Sequence, residues 1–350
     1  MTELAIPTSI EEVTADWLAE ATGFAIESVR PQRIGEGIGV SSAIYRAHLH
    51  GASCPQTVVV KLPSLDEAAV FTSTMLRMYI REVRFFAELA PLAPLRVPVA
   101  YHAAVHEGTS EFVVVMEDLG SLRLIDQLSG MALPDAERAV DELAGWHATW
   151  WGRGDELAEQ GLTVSLGDPI YPAVLPLVFG EGWEKVTREL EVSEPILAVG
   201  PRFADAIPRL LQRLSRGPNT MTHGDFRADN ILFDPAGRVA LLDFQLIGSG
   251  SGTYDLAYFV TQSLEPDVAA ANERALFDRW VAGLVATGVP EGDLEGAWDD
   301  YRTAALFCLV YPIVASRGMD LSDPRQFELI ECMNTRFARA VEQLDLESLL

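Results

Sequence analysis

The feature that most constrains this fold is a short hairpin bounded by acidic and amide side chains, at residues 223–245. The segment reads HGDFRADN over residues 223–230, and Asp243 follows Asn230 by thirteen residues, within LLDFQ. Two β-rich runs lie between them, joined by DPAG, whose Pro at the second position and Gly at the fourth are typical of a type I turn. Antiparallel pairing of these runs would place Asn230 and Asp243 at the same end of the hairpin.

The residue types at that end of the hairpin indicate a divalent metal. An amide oxygen beside a carboxylate suits a hard cation such as Mg²⁺, which prefers oxygen ligands. Asp225 lies five residues before Asn230, where it can face a substrate hydroxyl beside that metal. A positioned acceptor and a metal that bridges phosphates are what phosphoryl transfer requires. The segment therefore predicts Asn230 and Asp243 as metal ligands and Asp225 as a catalytic residue.

A glycine-rich segment, IGEGIGVSSAIYR at residues 34–46, indicates a phosphate-binding loop. Its glycines let backbone N–H groups approach phosphates, and its serines add hydroxyl donors. The residues concerned are Gly35, Gly37, Gly39, Ser41 and Ser42. A dinucleotide-binding loop would need a helix directly after the glycines, whereas the alternating AIYRAHLH that follows is typical of a strand. The sequence also lacks the GxxxxGK[ST] motif of a P-loop.

Periodicity predicts the elements around these motifs. A helix is expected over residues 9–22, with Ser9 as N-cap and Glu12 completing a capping box. One long helix is expected over residues 66–90. Strands are expected over 42–50, 57–63 and 112–119. A buried helix is expected for the apolar run 304–315.

Lysine is rare in this chain, because only Lys61 and Lys185 occur among 26 basic residues. A lysine kept against such a preference for arginine is expected to be needed for its compact ammonium group. Lys61 ends the β-branched run of TVVVKLP at residues 57–63. It is therefore a candidate phosphate-binding residue.

Composition excludes several classes of protein. The 350 residues carry a formal charge of −25, which disfavours binding to nucleic acid or to an anionic membrane. The three cysteines are far apart and have no metal-ligand spacing, as expected of reduced thiols. The N-terminal segment lacks the features of a signal peptide, so a cytoplasmic location is expected. No sequence feature indicates a particular oligomeric state.

At these motifs the chain resembles the aminoglycoside phosphotransferase and choline-kinase-like superfamily. HGDFRADN followed by LLDFQ is similar to its catalytic loop and metal-binding segment, while MEDL at 116–119 and DFQ at 243–245 resemble its ecdysteroid-kinase-like (CHK-like) branch. HGD-[FY]-R-x-D-N is also similar to phosphotransferase domains fused to acyl-CoA dehydrogenases, which act on hydroxyacyl-CoA. The resemblance spans roughly residues 30–260.

The resemblance implies an α+β, two-lobed protein-kinase-like fold. A small β-rich N-lobe, residues 1–119, would bind the nucleotide. A larger, mainly helical C-lobe, residues 120–350, would carry the catalytic loop and the acceptor site.

The resemblance also implies roles for the residues of the catalytic loop. Asp225 would be the base that orients or deprotonates the acceptor hydroxyl. Arg227 would neutralise charge on the transferred phosphoryl group. Asn230 and Asp243 would hold Mg²⁺, and Asp255 would brace the loop.

Further roles concern the nucleotide. Lys61 resembles the lysine of the third kinase strand, which contacts the α- and β-phosphates. Glu82 is expected to be its anionic partner, with Glu88 as the alternative. Backbone groups around Glu117 and Leu119 would bind the adenine.

These features predict an ATP- and Mg²⁺-dependent kinase that phosphorylates a hydroxyl of a small organic acceptor. The sequence does not distinguish among aminoglycoside-, choline-, steroid- and hydroxyacyl-CoA-like acceptors. A protein acceptor is disfavoured, because only nine residues, 246–254, separate DFQ from Asp255. The alternatives are a nucleotide-binding, pseudokinase-like regulatory module and, on the glycine loop alone, a dinucleotide-dependent oxidoreductase.

An aromatic cluster on the helix opened by Pro134 allows two interpretations. Helix-spaced aromatic residues usually belong to a core, whereas an aromatic box could bind a quaternary amine. The core is the favoured interpretation for these side chains, which are Trp146, His147, Trp150 and Trp151.

Overall fold

The computed structural model describes residues 4–35 and 41–350, and the chain divides into two units. The first unit comprises Met1–Leu122 and Leu242–Leu246, and the second comprises Arg123–Leu241 and Ile247–Leu350. The boundary after Leu122 lies close to the one predicted after residue 119. Leu242–Leu246 belongs to the first unit although the chain before and after it belongs to the second, which was not predicted. Asp243 is therefore part of the first unit.

A five-stranded antiparallel sheet forms the centre of the first unit, in the order β1-β2-β3-β5-β4. The central strands β3 and β5 are rich in buried valines, while β1 contains Pro31 and lies at the edge, where a missing N–H is tolerated. The strands predicted over 42–50 and 57–63 are confirmed. The strand bounds are Ser28–Ile34 for β1, Ser42–His50 for β2, Thr57–Pro63 for β3, Ala100–Val105 for β4 and Phe112–Glu117 for β5.

The first helix begins later than the sequence suggested. Helix α1 spans Ala15–Thr22, and the side chain of Thr14 caps it by accepting the N–H three residues on. Ser9 makes no capping hydrogen bond, and Glu12 accepts the backbone N–H of Thr8 at 2.7 Å. The predicted capping box at Ser9 and Glu12 is therefore wrong.

The long helix predicted over 66–90 is broken. Helix α2 spans Glu67–Met75 and helix α3 spans Met78–Arg84, followed by a π-helical turn over Phe85–Leu89. Arg77 between the helices has φ 55°, a left-handed conformation that ends a right-handed helix. The apolar periodicity continues across this break, which is why the pattern did not reveal it. Helix α3 packs against β4 and β5.

Helices make up most of the second unit. Its helices are α4 Leu133–Thr149, α5 Gly154–Glu159, α6 Ile170–Glu189, α7 Glu194–Leu214, α8 Thr253–Ser263, α9 Pro266–Ala286, α10 Ala297–Phe307, α11 Val310–Ser316 and α12 Pro324–Gln343. The apolar run 304–315 is buried in large part, but α10 and α11 share it, so the prediction of a single helix is wrong. Among the described residues, no helix is both long and apolar enough to cross a bilayer.

Short strands interrupt these helices. They form two three-stranded sheets, β10-β9-β6 and β7-β11-β8. The predicted hairpin is present, with Ile231 opposite Leu241 and a turn closed by a hydrogen bond from the N–H of Gly237 to the carbonyl of Asp234. The strand bounds are Arg123–Leu124 for β6, Val164–Ser165 for β7, Thr220–Thr222 for β8, Ile231–Phe233 for β9, Val239–Leu241 for β10 and Gly248–Gly250 for β11.

The aromatic residues of α4 belong mainly to the core, as favoured from the sequence. Trp146, His147 and Trp150 are almost fully buried. The indole N–H of Trp146 donates to the carbonyl of Met221 at 2.9 Å, which fixes α4 against β8. These buried rings do not form an aromatic box.

Candidate active site

In the first unit, a buried lysine on the sheet is held by two carboxylates. The Nζ atom of Lys61 on β3 lies 2.6 Å from Oε1 of Glu82 on α3 and 3.2 Å from Oδ1 of Asp243. Lys61 is 2% exposed and Glu82 is 1% exposed. The pair of Lys61 and Glu82 forms as expected, while the alternative partner Glu88 is exposed to solvent.

The electrostatics of this cluster keep the lysine charged. Burial opposes the charge of Lys61, but Asp243 and Glu82 outweigh it, so the pKa of Lys61 lies above its ordinary value. Burial raises the pKa of Glu82 to about 6, against the opposing effect of Lys61. A buried ion pair repays its desolvation only when hydrogen bonds accompany it. Here the ammonium group donates to both carboxylates.

Asp243 is fixed by its neighbours in the chain. It adopts φ 64°, a conformation uncommon for non-glycine residues and frequent at functional sites. The ring of Phe244 is fully buried and stacks on Phe85 at 3.7 Å between centroids. The side-chain amide of Gln245 donates to Oδ2 of Asp243 at 3.3 Å. These contacts hold the Asp243 carboxylate on Lys61.

The predicted phosphate-binding loop is described only in part. Gly35 has φ 71°, a left-handed conformation that glycine adopts readily, while Gly37 and Gly39 lie outside the described residues. The hydroxyl of Ser41 donates to Oε1 of Gln245 at 2.9 Å, and Ser42 is buried in β2. The Ser41 hydroxyl therefore contacts a protein group, whereas the buried Ser42 hydroxyl has no hydrogen-bond partner among the described residues.

The segment expected to bind adenine uses some of its backbone groups internally. The N–H of Glu117 donates to the carbonyl of Val99 at 2.8 Å, and the carbonyl of Leu119 accepts the N–H of Leu122 at 2.9 Å. The carboxylate of Glu117 pairs with Arg96. The N–H of Glu117 and the carbonyl of Leu119 are therefore already engaged within the protein.

In the second unit, a buried carboxylate holds the loop that precedes the hairpin. Asp255, in the first turn of α8, is fully buried. It accepts the backbone N–H groups of His223 at 2.7 Å and Gly224 at 2.9 Å. These two hydrogen bonds are the geometric basis for the role expected of Asp255, which is to hold the loop that begins at His223.

A histidine on α4 completes the environment of Asp255. The indole N–H of Trp280 lies 3.0 Å from Nδ1 of His147. Because an indole N–H can only donate, Nδ1 is the acceptor and Nε2 carries the proton. That Nε2–H donates to Oδ2 of Asp255 at 3.0 Å, so three donors stabilise one buried carboxylate.

Asp225 contacts two of the other predicted site residues. The side-chain nitrogen of Asn230 donates to the carboxylate of Asp225 at 2.8 Å and to its carbonyl at 2.9 Å. Nε of Arg227 lies 3.1 Å from Oδ1 of Asp225. Because both oxygens of Asp225 can only accept, the amide nitrogen of Asn230 must face them. The amide oxygen of Asn230 is thereby directed away from Asp225.

Arg227 joins a wider charged network. Its Nη1 lies 2.8 Å from Oδ2 of Asp229 and 2.6 Å from Oε1 of Gln127. The backbone N–H of Gln127 donates to the other carboxylate oxygen of Asp229 at 3.1 Å. Gln127 was not identified from the sequence, because it lies 100 residues before Arg227 and in no motif.

Three tyrosines form a cluster beside the same loop, and the motifs did not reveal them. The hydroxyl of Tyr311 on α11 donates to the carbonyl of Gly224 at 2.8 Å, so the hydroxyl of Tyr254 donates to Tyr311. Tyr258 stacks on Tyr311 at 3.7 Å between centroids. Tyr254 and Tyr258 are four residues apart on α8 and therefore lie on the same helix face. This spacing was the one sequence signal that could have predicted part of the cluster.

Comparison with known proteins identifies the family. A family model described as a phosphotransferase enzyme family matches residues 37–288. The chain belongs to this phosphotransferase family. The predicted class of enzyme, a phosphotransferase with an alcohol group as acceptor, is confirmed. A search of curated proteins found no significant match.

Solved structures similar to this phosphotransferase confirm the α+β, two-lobed protein-kinase-like fold. A putative aminoglycoside phosphotransferase from Ralstonia eutropha JMP134 is 17% identical, with a TM-score of 0.59 over 96% of this chain and 98% of that one. Choline kinase from Cryptosporidium parvum Iowa II is 11% identical, with a TM-score of 0.54 over 90% and 88%. A spectinomycin phosphotransferase bound to ADP and spectinomycin is 12% identical, with a TM-score of 0.55 over 98% and 100%.

The contact between Lys61 and Glu82 predicts that substitutions of two glutamates in this phosphotransferase differ in their effect on stability. Glu82→Gln removes a buried charge that faces an ammonium group, and we expect the free energy of unfolding to fall by about 2 kcal/mol. Glu88→Gln changes an exposed side chain and should leave the free energy of unfolding unchanged. Urea unfolding of both variants measures the difference. Equal stabilities would contradict the importance of this ion pair.

Asp255 offers a second test. An amide in place of its carboxylate cannot satisfy three donors, so Asp255→Asn should lower the free energy of unfolding by about 1–3 kcal/mol. The control is Asp278→Asn on the exposed face of α9. Hydrogen exchange of the His223 and Gly224 amides reports the loop directly, and unchanged protection in Asp255→Asn would refute the bracing role.

Proposed function

We propose that the protein transfers the γ-phosphoryl group of ATP to a hydroxyl group of a small organic acceptor, with Mg²⁺ as the metal. The observation that carries the proposal is the double ion pair of Lys61 with Glu82 and Asp243. A buried ammonium group held between two carboxylates on a β-sheet is fixed in place and stays charged, as a phosphate contact requires.

The acceptor hydroxyl is the proposed partner of Asp225. Asn230 and Arg227 donate to this carboxylate, which fixes its orientation. The acceptor O–H donates to Asp225 while its oxygen bonds to the γ-phosphorus. The bond from phosphorus to the β,γ-bridging oxygen breaks, ADP leaves, and the hydroxyl proton passes to Asp225. Arg227 supplies positive charge next to the transferred group.

The proposed Mg²⁺ ligands are Asn230 and Asp243. The amide nitrogen of Asn230 is occupied by Asp225, so an oxygen remains for a metal, and the side chain of Asp243 is 23% exposed. Amide and carboxylate oxygens are ligands that suit Mg²⁺. In the described part of the chain, no three His, Cys, Asp or Glu side chains cluster as a metal site, so phosphate and water oxygens would complete the coordination. A metal held there would neutralise phosphate charge.

The nucleotide is proposed to bind through the first unit. Lys61 would contact the α- and β-phosphates, and backbone N–H groups at the loop glycines Gly35, Gly37 and Gly39 would contact phosphate oxygens. The carbonyl of Glu117 and the N–H of Leu119 would bind the adenine edge. Ser41 and Ser42 are weaker candidates, because Ser41 donates to Gln245 and Ser42 is buried.

Replacing the proposed base tests the catalytic role. Asp225→Asn should lower the rate of ADP formation with an acceptor about 10³-fold, because general base catalysis contributes roughly 10²–10⁴. The Kd for ATP, measured by calorimetry, should stay within about 3-fold, because Lys61 and the loop are intact. Asp278→Asn is the control of equal charge change.

The result that would contradict this role is full turnover by Asp225→Asn. A wild-type protein that binds ATP but forms no ADP with Mg²⁺ and a broad panel of alcohols would instead favour the pseudokinase-like module.

The metal site makes a separate prediction. Asn230→Ala removes one ligand, so the Mg²⁺ concentration for half-maximal ADP formation should rise about 10–100-fold. Chelation of Mg²⁺ should abolish turnover in the wild type. An unchanged Mg²⁺ requirement in Asn230→Ala would exclude Asn230 as a ligand.

A further inference from the structure

Protein acceptors hold two of the three nitrogens in the guanidinium group of Arg227. Nε lies 3.1 Å from Oδ1 of Asp225. Nη1 donates to Oε1 of Gln127 at 2.6 Å and to Oδ2 of Asp229 at 2.8 Å. Because arginine donates from a rigid planar fork, contacts to three different residues fix both the plane and the rotation of this group.

The third nitrogen of Arg227, Nη2, carries the remaining two N–H donors. In the described part of the chain this atom makes no hydrogen bond, and the Arg227 side chain is 16% exposed. The covalent geometry of the fork places Nη2 on the same edge as Nε, and that edge faces Asp225. The free donors of Arg227 therefore lie beside the carboxylate that is the proposed base.

The contact with Gln127 determines which nitrogen of Arg227 stays free. Arginine and a carboxylate favour a bidentate pair, in which two neighbouring nitrogens donate to both oxygens. A bidentate pair with Asp225 would use Nη2 as well as Nε. The hydrogen bond from Nη1 to Gln127 is the shortest that Arg227 makes, and it opposes the rotation that such a pair needs. Because Gln127 is neutral, it accepts Nη1 without a third negative charge beside Arg227.

The side chain of Gln127 is itself fixed at both ends. It is 1% exposed, and its Nε2 donates to the backbone carbonyl of Gln262 on α8 at 3.3 Å. Since Arg227 can only donate and a carbonyl can only accept, the amide must direct Oε1 toward Arg227. A buried amide loses stability when its hydrogen bonds are broken, so this orientation is well determined.

A buried arginine on α12 holds the backbone of the same glutamine. Nη1 of Arg336 donates to the carbonyl of Gln127 at 2.6 Å and to the carbonyl of Gln262 at 2.8 Å. Arg336 is 2% exposed. The contacts that fix Gln127 thus come from α8 and from α12, which lies beyond the last residue, 288, matched by the family model.

We propose that Gln127 is the positioning residue of Arg227. By accepting Nη1, it keeps Nη2 free to donate to the phosphoryl group during transfer to the acceptor oxygen. Gln127 contacts neither nucleotide nor acceptor in this role and acts through Arg227 alone. This inference rests on the proposed phosphoryl transfer.

Binding of a phosphoryl mimic measures this role without an acceptor. Tetrafluoroaluminate mimics the transferred phosphoryl group beside ADP and Mg²⁺, and calorimetry gives the Kd for ADP with and without it. In the wild type it should tighten ADP binding at least about 100-fold, as expected of a transition-state analogue. Gln127→Met removes the acceptor of Nη1 and should reduce that tightening about 10–100-fold, the effect of one charge-assisted hydrogen bond. The Kd for ADP alone should stay within about 3-fold.

The control replaces another buried glutamine of the same region. Gln262 is fully buried, and its side-chain nitrogen donates to the carbonyl of Met333 at 3.4 Å. Gln262→Met leaves its backbone carbonyl in place and should keep the full tightening. Gln127→Asn stays polar but is one methylene shorter, so it should lose the tightening as Gln127→Met does. Equal losses in Gln127→Met and Gln262→Met would overturn the positioning role.

Combination with Arg227→Met separates positioning from a structural role. If Gln127 acts through Arg227, Gln127→Met should cause no further loss in an Arg227→Met protein. Additive losses, or undiminished tightening in Gln127→Met, would overturn the positioning role and leave phosphoryl transfer intact. A wild-type protein whose ADP binding is not tightened by tetrafluoroaluminate would overturn phosphoryl transfer, and the role of Gln127 with it.

Discussion

The interaction on which the first unit depends is the contact of the Lys61 ammonium group with two carboxylates. A lysine that is 2% exposed would lose its charge or destabilise the sheet if it stood alone. The carboxylates of Glu82 on α3 and of Asp243 in the segment Leu242–Leu246 compensate the charge of this lysine. The break at Arg77 and the stacking of Phe244 on Phe85 are the local structures that bring these two partners to the strand.

In the second unit, hydrogen bonds compensate the buried polar groups around the loop that carries Asp225. Its loop carries Asp225 on an irregular backbone, and such a backbone needs partners for its N–H groups when it is buried. Asp255 accepts two of those groups, and His147 stabilises the Asp255 carboxylate in turn. The orientation of Asp225 thus depends on a buried network that begins on α4. This network explains how Asp225, the proposed catalytic base, can lie on a loop and still be fixed.

Much of the site was predictable from the sequence because it lies in short motifs. The hairpin between Asn230 and Asp243 was predictable from its turn residues, and the rarity of lysine drew attention to Lys61, which the structure shows paired with Glu82 and Asp243. The elements that required tertiary contacts were not predictable. Arg77 leaves the helical conformation inside an unbroken apolar pattern, Gln127 reaches Arg227 from 100 residues away, and Tyr311 meets Gly224 from a helix outside every motif.

The central proposal is the transfer of a phosphoryl group from ATP to an alcohol. Phosphorus NMR of the wild-type protein with ATP, Mg²⁺ and a mixture of alcohols tests this claim directly. The account predicts a phosphomonoester signal that grows in equal amount with ADP. Formation of ADP with inorganic phosphate alone, and no phosphomonoester, would contradict it.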